Sequence, residues 1–222
     1  MIRGAALGML AVLLAVTPSP QPAAGPLVST PDALAVVQTL TQRNAALRSY
    51  TFDVHVHVVL HTFPYLKFRL EGDGRYERPS LFSVHFHHVP WFGKGFERMN
   101  MGPLDPKNWP TQYTMRIAEQ VGDQTLLAFT DRNKSPLTSA TALIDPTTGV
   151  QELVWKYSYG GRVQLDVHPV AIDGYQLPAT EDAEIAMPRY KVSMHADFSN
   201  YHVVSDDPLA ASAQAALPAP SP

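Results

Sequence analysis

Cysteine is missing from all 222 residues, so neither a disulfide nor a thiolate metal site can hold this chain together. Excess charge is missing too. The 17 Lys+Arg and 20 Asp+Glu leave a formal net charge of -3, which offers no basic field for gripping phosphates and argues against a nucleic-acid partner. Motifs that announce catalysis are also lacking. There is no Gly-x-Ser-x-Gly, Walker loop, dinucleotide fingerprint or His-Glu-x-x-His, and the acidic residues are scattered without a readable pairing. The sequence therefore predicts no enzyme and no cofactor. Its 45% hydrophobic content suffices for one buried core rather than two.

What is present begins with an address. Arg3 precedes an apolar run over 5–16, followed by Thr17, Pro18 and the small residues Ala23, Ala24 and Gly25. A basic start, a short apolar run and small residues at a cleavage point mark a secretory signal, while a membrane span needs about 20 apolar residues. The expected organisation is a signal peptide over 1–25, a linker over 26–29, one folded domain over 30–205 and a disordered Ala/Pro-rich tail over 206–222. With no cysteine to acylate, the mature chain is expected to be soluble and exported, either periplasmic or secreted.

The domain opens with a helix. Thr30 is a natural N-cap, Pro31 suits the first helical position, and Asp32 favours the positive end of the dipole. Leu34, Val37, Leu40 and Leu47 recur at helical spacing, which predicts a helix from 31 to about 48. The period then changes to two. Phe52, Val54, Val56, Val58 and Leu60 alternate with Asp53, His55, His57, Val59 and His61, and Leu66, Phe68 and Leu70 repeat the pattern. Gly72 and Gly74 suggest a bulge or sharp turn, and 81–88 is a further strand. Residues 90–110 lose the pattern and read as a loop rich in Trp, Phe and Met. Hairpins then resume, turning at Gly122-Asp123, Asp145–Gly149, Gly160-Gly161 and Asp173-Gly174. The sum is an α+β domain in which about nine or ten antiparallel strands curve around one N-terminal helix.

Two stretches carry a resemblance. "LRSYTFDVHV" leaves the helix, and "GRYERPSLFSVHF" follows about twenty residues later. The pair resembles periplasmic lipoprotein carriers of the LolA type, in which a Leu-x-Ser-aromatic step enters the first strand and a later strand carries Gly and Arg-Pro-x-Leu-Phe. The matching positions are Leu47, Ser49 and Tyr50, then Gly74, Arg78, Pro79, Leu81, Phe82 and His85. "IDGYQLP" and "ADFSNYHVV" resemble the late strands of the wider superfamily. The resemblance implies a LolA-like half-barrel with an apolar concave face that takes acyl chains, and a gating role for Arg78 at its mouth. In place of the carriers' short covering helices, this chain has the 90–110 loop.

On this reading Phe52, Val54, Val56, Phe68, Phe82, Val84 and Phe86 face a ligand cavity, while Arg78, Trp91, Phe92 and Phe96 sit at its mouth. The same apolar residues could equally fill a closed core. His55, His57, His85 and His87 are the candidate metal ligands, because a His-x-His pair on a strand can chelate. A strand expected between the two rows would hold them roughly 10 Å apart, so the plainer reading leaves them on the solvent face. The expected function is an exported carrier or sensor of lipid or acylated lipoprotein, with an envelope protein partner and transient membrane contact open to it. The alternatives are an interaction or envelope-structural module with a filled core, and a histidine-based metal site or enzyme.

Overall fold

A computed structural model describes residues 29–78, 81–90, 105–133 and 136–206. The expected signal peptide, most of the expected tail, Pro79 and the aromatic residues Trp91, Phe92 and Phe96 lie outside the described residues.

Helix α1 (Pro31–Arg43) starts as its cap dictates, with the Thr30 Oγ1 accepting the Ala33 N–H at 3.4 Å. The chain is tied in one residue earlier than composition suggested. Ser29, assigned to the linker, is buried, and its Oγ accepts the Met115 N–H at 3.0 Å. The helix stops at Arg43 rather than near 48. Leu47 belongs instead to strand β1 (Leu47–Leu60), where it is buried among aromatic rings and pairs with Ser205. Cross-strand bonding and burial together outweigh one more helical turn at this point. Leu34 is also corrected: it is exposed, and the helix buries Ala33 and Val37 with Val36 and Leu40 beside them.

Strand β2 (Lys67–Glu77) runs straight through both glycines, so the expected bulge or turn does not form there. Close approach explains them. A Cβ on Gly74 would lie 2.0 Å from the Phe52 ring, and one on Gly72 would lie 2.3 Å from the His85 carbonyl oxygen. Strand β3 (Leu81–Phe86) completes this end of the sheet. A 3-10 turn (Pro106–Asn108) and the one-turn α2 (Trp109–Gln112) replace the end of the expected loop. Trp109 is buried in the core, 5.0 Å from the Phe129 ring.

Strands β4 (Tyr113–Val121), β5 (Gln124–Asp131), β6 (Leu137–Asp145) and β7 (Gly149–Tyr157) follow as hairpins. Strands β8 (Arg162–Ile172), β9 (Tyr175–Met187) and β10 (Tyr190–Ser205) continue the meander. The sheet order is β3-β2-β1-β10-β9-β8-β7-β6-β5-β4, with every pair antiparallel. The last strand lies against the first, and β3 and β4 remain edges, so the barrel is open. Among the described residues no helix is long and apolar enough to cross a membrane.

The concave face is filled unevenly. With only 13 residues, α1 covers one half, packing with Trp109, Met115, Leu127, Phe129 and Leu153. Over β1, β2, β3 and β10 the face closes on itself through Tyr50, Phe52, Phe82, Phe198 and Tyr201. The seam between these two clusters lies under the C-terminal end of the helix.

Candidate functional site

A cavity of about 550 Å³ occupies that seam. Its walls come from the end of α1 (Leu40, Asn44), the aromatic cluster (Tyr50, Phe52, Phe82), and inward residues of β7 to β9 (Leu153, Leu165, Leu177). Period-two alternation puts these side chains on the inner face. The helix is too short to lie over them, and that shortfall leaves the space.

The aromatic wall is closely packed. Phe52 lies 5.7 Å from Phe82, 5.5 Å from Phe198 and 5.7 Å from Tyr201, centroid to centroid. Gly74 makes room for the Phe52 ring at the centre. Of the seven residues expected to face a cavity, Phe52 and Phe82 line it. Val54, Val56, Val84 and Phe86 pack into the same aromatic cluster outside the cavity wall, and Phe68 joins a separate cluster with Val58, Leu70 and Val192.

Several polar groups interrupt the apolar walls. Tyr201 donates its hydroxyl to the Pro178 carbonyl at 2.6 Å, and Lys107 donates to Tyr76 Oη at 2.9 Å while lying over that ring. Asn44 donates to the Gln176 carbonyl at 3.1 Å, but its own Oδ1 is buried with no partner. Burial, then the neighbouring Tyr76 and Glu181, push the Tyr50 hydroxyl far above its usual range. Tyr201 is raised in the same way, by burial and then by Tyr50 and Glu181.

Glu181 is the residue that motif reading missed. It lines the cavity from β9, its sheet neighbours are Val167 and Ala196, and no donor among the described residues reaches it. Burial alone pushes its carboxyl up to about 7 from 4.5. The signal was present in the alternation of Leu177, Ala179, Ala183 and Ile185, which puts position 181 on the apolar face.

Arg78 sits at the junction of three elements. Its backbone N–H donates to the Arg48 carbonyl at 2.9 Å, its Nη1 donates to the Ala45 carbonyl at 2.9 Å, and its Nη2 pairs with the Asp206 carboxylate. Asp206 in turn donates its backbone N–H to the Ala46 carbonyl at 2.9 Å, so it is held in the fold although composition assigned it to the tail. Within residues 45–48 Leu47 lines the cavity, as does the preceding Asn44.

The histidines occupy the convex face. His55 and His57 lie on β1 and His85 on β3, with His87 just past its end, all exposed, and β2 runs between the two rows. Two of them have a carboxylate beside them: His87 donates to Asp73 at 2.8 Å, and His55 lies 3.9 Å from Glu71. His195 donates from Nδ1 to Asp182 at 2.7 Å, and that bond raises its pKa above the ordinary value. Among the described residues no three His, Asp or Glu side chains converge to hold a metal ion.

Solved structures share this fold, an open antiparallel half-barrel around one helix. A domain described as an outer membrane lipoprotein-sorting protein from Vibrio parahaemolyticus superposes with a TM-score of 0.60 at 11% identity, covering 78% of this chain and 92% of that one. A DUF1329 family protein from Desulfovibrio piger gives 0.53 at 11% identity, over 80% of this chain and 96% of that one. A LolA superfamily protein from Nitrosomonas europaea superposes more loosely, at 0.48 with 10% identity, over 78% and 94% of the two chains. No protein-family model and no curated protein sequence matches the chain.

Proposed function

We propose that this protein is an exported carrier or sensor that holds a lipid, or the acyl chain of a lipoprotein, in the cavity beneath α1. The observation that carries the reading is the cavity itself: about 550 Å³, walled by Phe52, Phe82, Leu153, Leu165 and Leu177 in a fold with too little helix to fill it. Pockets of this size and apolarity bury most of a small ligand and leave a few polar groups to orient it. The lipoprotein-sorting description of the Vibrio domain supports the same ligand class. Export rests on the signal-like residues 1–25, and a role for Trp91, Phe92 and Phe96 at the mouth rests on their place in the chain between β3 and the 3-10 turn. Arg78 does not line the cavity but bonds the 45–48 segment that carries the cavity-lining Leu47, which supports a part in setting the width of the opening.

Mass measurement under non-denaturing conditions tests the reading directly. Protein purified from its native envelope should carry an adduct in the mass range of a phospholipid or acyl chain. The Phe82→Glu variant should lose that adduct while still being produced, because a carboxylate at the aromatic wall is incompatible with a buried chain. A bare mass for the wild type, unchanged after lipid is offered back, would mean a filled core and overturn the proposal.

A further inference from the structure

A purely hydrophobic sleeve would have no use for Glu181. A carboxylate with Val167 and Ala196 beside it in the sheet, and with no donor among the described residues, is a destabilising choice unless something outside the chain completes it. A second acceptor, Oδ1 of the cavity-lining Asn44, is buried and unpartnered, while Glu181 itself is half-buried. Both unmet needs are for donors. The hydroxyls nearby do not bond either group: Tyr201 is committed to the Pro178 carbonyl, and Tyr50 and Tyr76, the latter accepting from Lys107, make no bond to Glu181 or Asn44. The other ionisable groups on the cavity wall are Arg43 from α1, turned to the Asp145 and Pro146 carbonyls, with Lys107 from the 3-10 turn, Asp105 at its cap and Tyr50 from β1.

We propose that the cavity selects an amphiphile whose polar end bears N–H donors, an amine or an acylated amide, and that the Glu181 carboxylate is the group that receives them. The inference rests on the cavity binding a hydrocarbon chain at all, as argued above. The chain lies against Leu153, Leu165 and Leu177, and the N–H end meets Glu181, whose two oxygens receive no hydrogen bond from the described residues. Such an end group occurs both on a free lipid amine and on the N-acylated terminus of a protein. A fatty acid lacks it and would bring a second carboxylate to the site.

Binding of four probes with the same alkyl chain decides the matter: dodecylamine, dodecanamide, methyl dodecanoate and dodecanoate, each titrated at pH 8 into wild type and Glu181→Gln. A hydrogen bond to a charged group supports an expectation that dodecylamine binds about tenfold or more tightly than the methyl ester. The amide should fall between them. In Glu181→Gln the amine-to-ester ratio should collapse towards one, with circular dichroism confirming that the variant is folded. An amine preference above that of the amide identifies a cationic lipid head as the better ligand, and equal affinities identify the acylated amide. A ratio that survives in Glu181→Gln would overturn the assignment of Glu181. Tightest binding of dodecanoate would also overturn it, and would place the head group at Lys107. If wild type binds the methyl ester with no amine advantage, only this inference falls. If it binds none of the four, the cavity reading falls with it.

Discussion

At the scale of single residues, the clearest assignments come from what sits opposite a side chain rather than from the side chain itself. Gly74 reads as a strand breaker, yet it lies inside a continuous strand because the Phe52 ring occupies the place of its side chain. Alanine ordinarily improves on glycine within a strand by roughly 0.5–1 kcal/mol. Here the sign should reverse: Gly74→Ala is expected to lower stability by about 1–3 kcal/mol through overpacking, read as a shift in the urea midpoint. A raised midpoint would mean that the ring moves freely and that the aromatic wall is soft. Glu181 is the opposite case, a charged residue in an ordinary alternation that becomes informative only once Val167 and Ala196 are seen beside it.

At the scale of elements, the junctions decide more than the elements themselves. Arg78 ties the end of β2 to the turn after α1 and to the end of β10. Both partners of its ion pair are more than a third exposed, so the pair should contribute no more than about 1 kcal/mol to stability. The expected effect of Arg78→Ala is therefore kinetic. Its melting temperature should stay close to that of wild type, while a bound fluorescent lipid should exchange faster. Unchanged exchange would remove Arg78 from any account of the mouth. The early end of α1 belongs to this scale as well. Helical spacing counted Leu47 into the helix, but β10 was waiting to pair with it, and a pairing partner some 158 positions away cannot be read from local periodicity.

At the scale of the whole molecule, the open sheet and its short helix leave a void, and the void sets the energetics of Glu181. The carboxyl is raised to about 7 in the folded protein against 4.5 ordinarily. A raised carboxyl means that the folded state holds the proton more tightly than the unfolded chain does. Its favourable contribution is fully present below pH 4.5 and is lost as pH rises through 7. At about 1.4 kcal/mol per pKa unit, wild type should lose on the order of 3 kcal/mol across that window relative to Glu181→Gln. Parallel urea denaturation of the two proteins at pH 4.5 and pH 8 measures the difference. Equal pH dependence would show that water reaches the carboxyl freely and that the cavity is wet at that end.

The sequence by itself determined the secondary-structure plan. Period-two alternation, turn residues and one capped helix suffice for an α+β antiparallel sheet with the histidines outside and the aromatics inside, because burial of one strand face is a local pattern. Only the tertiary structure decided which apolar residues face empty space. Phe52 and Val54 alternate identically, yet Phe52 lines the cavity and Val54 packs against its neighbours. That distinction depends on where α1 ends relative to strands far away in the chain. The same holds for Glu181, whose role follows from the residues brought beside it, since an electrostatic environment is a property of space and not of sequence order.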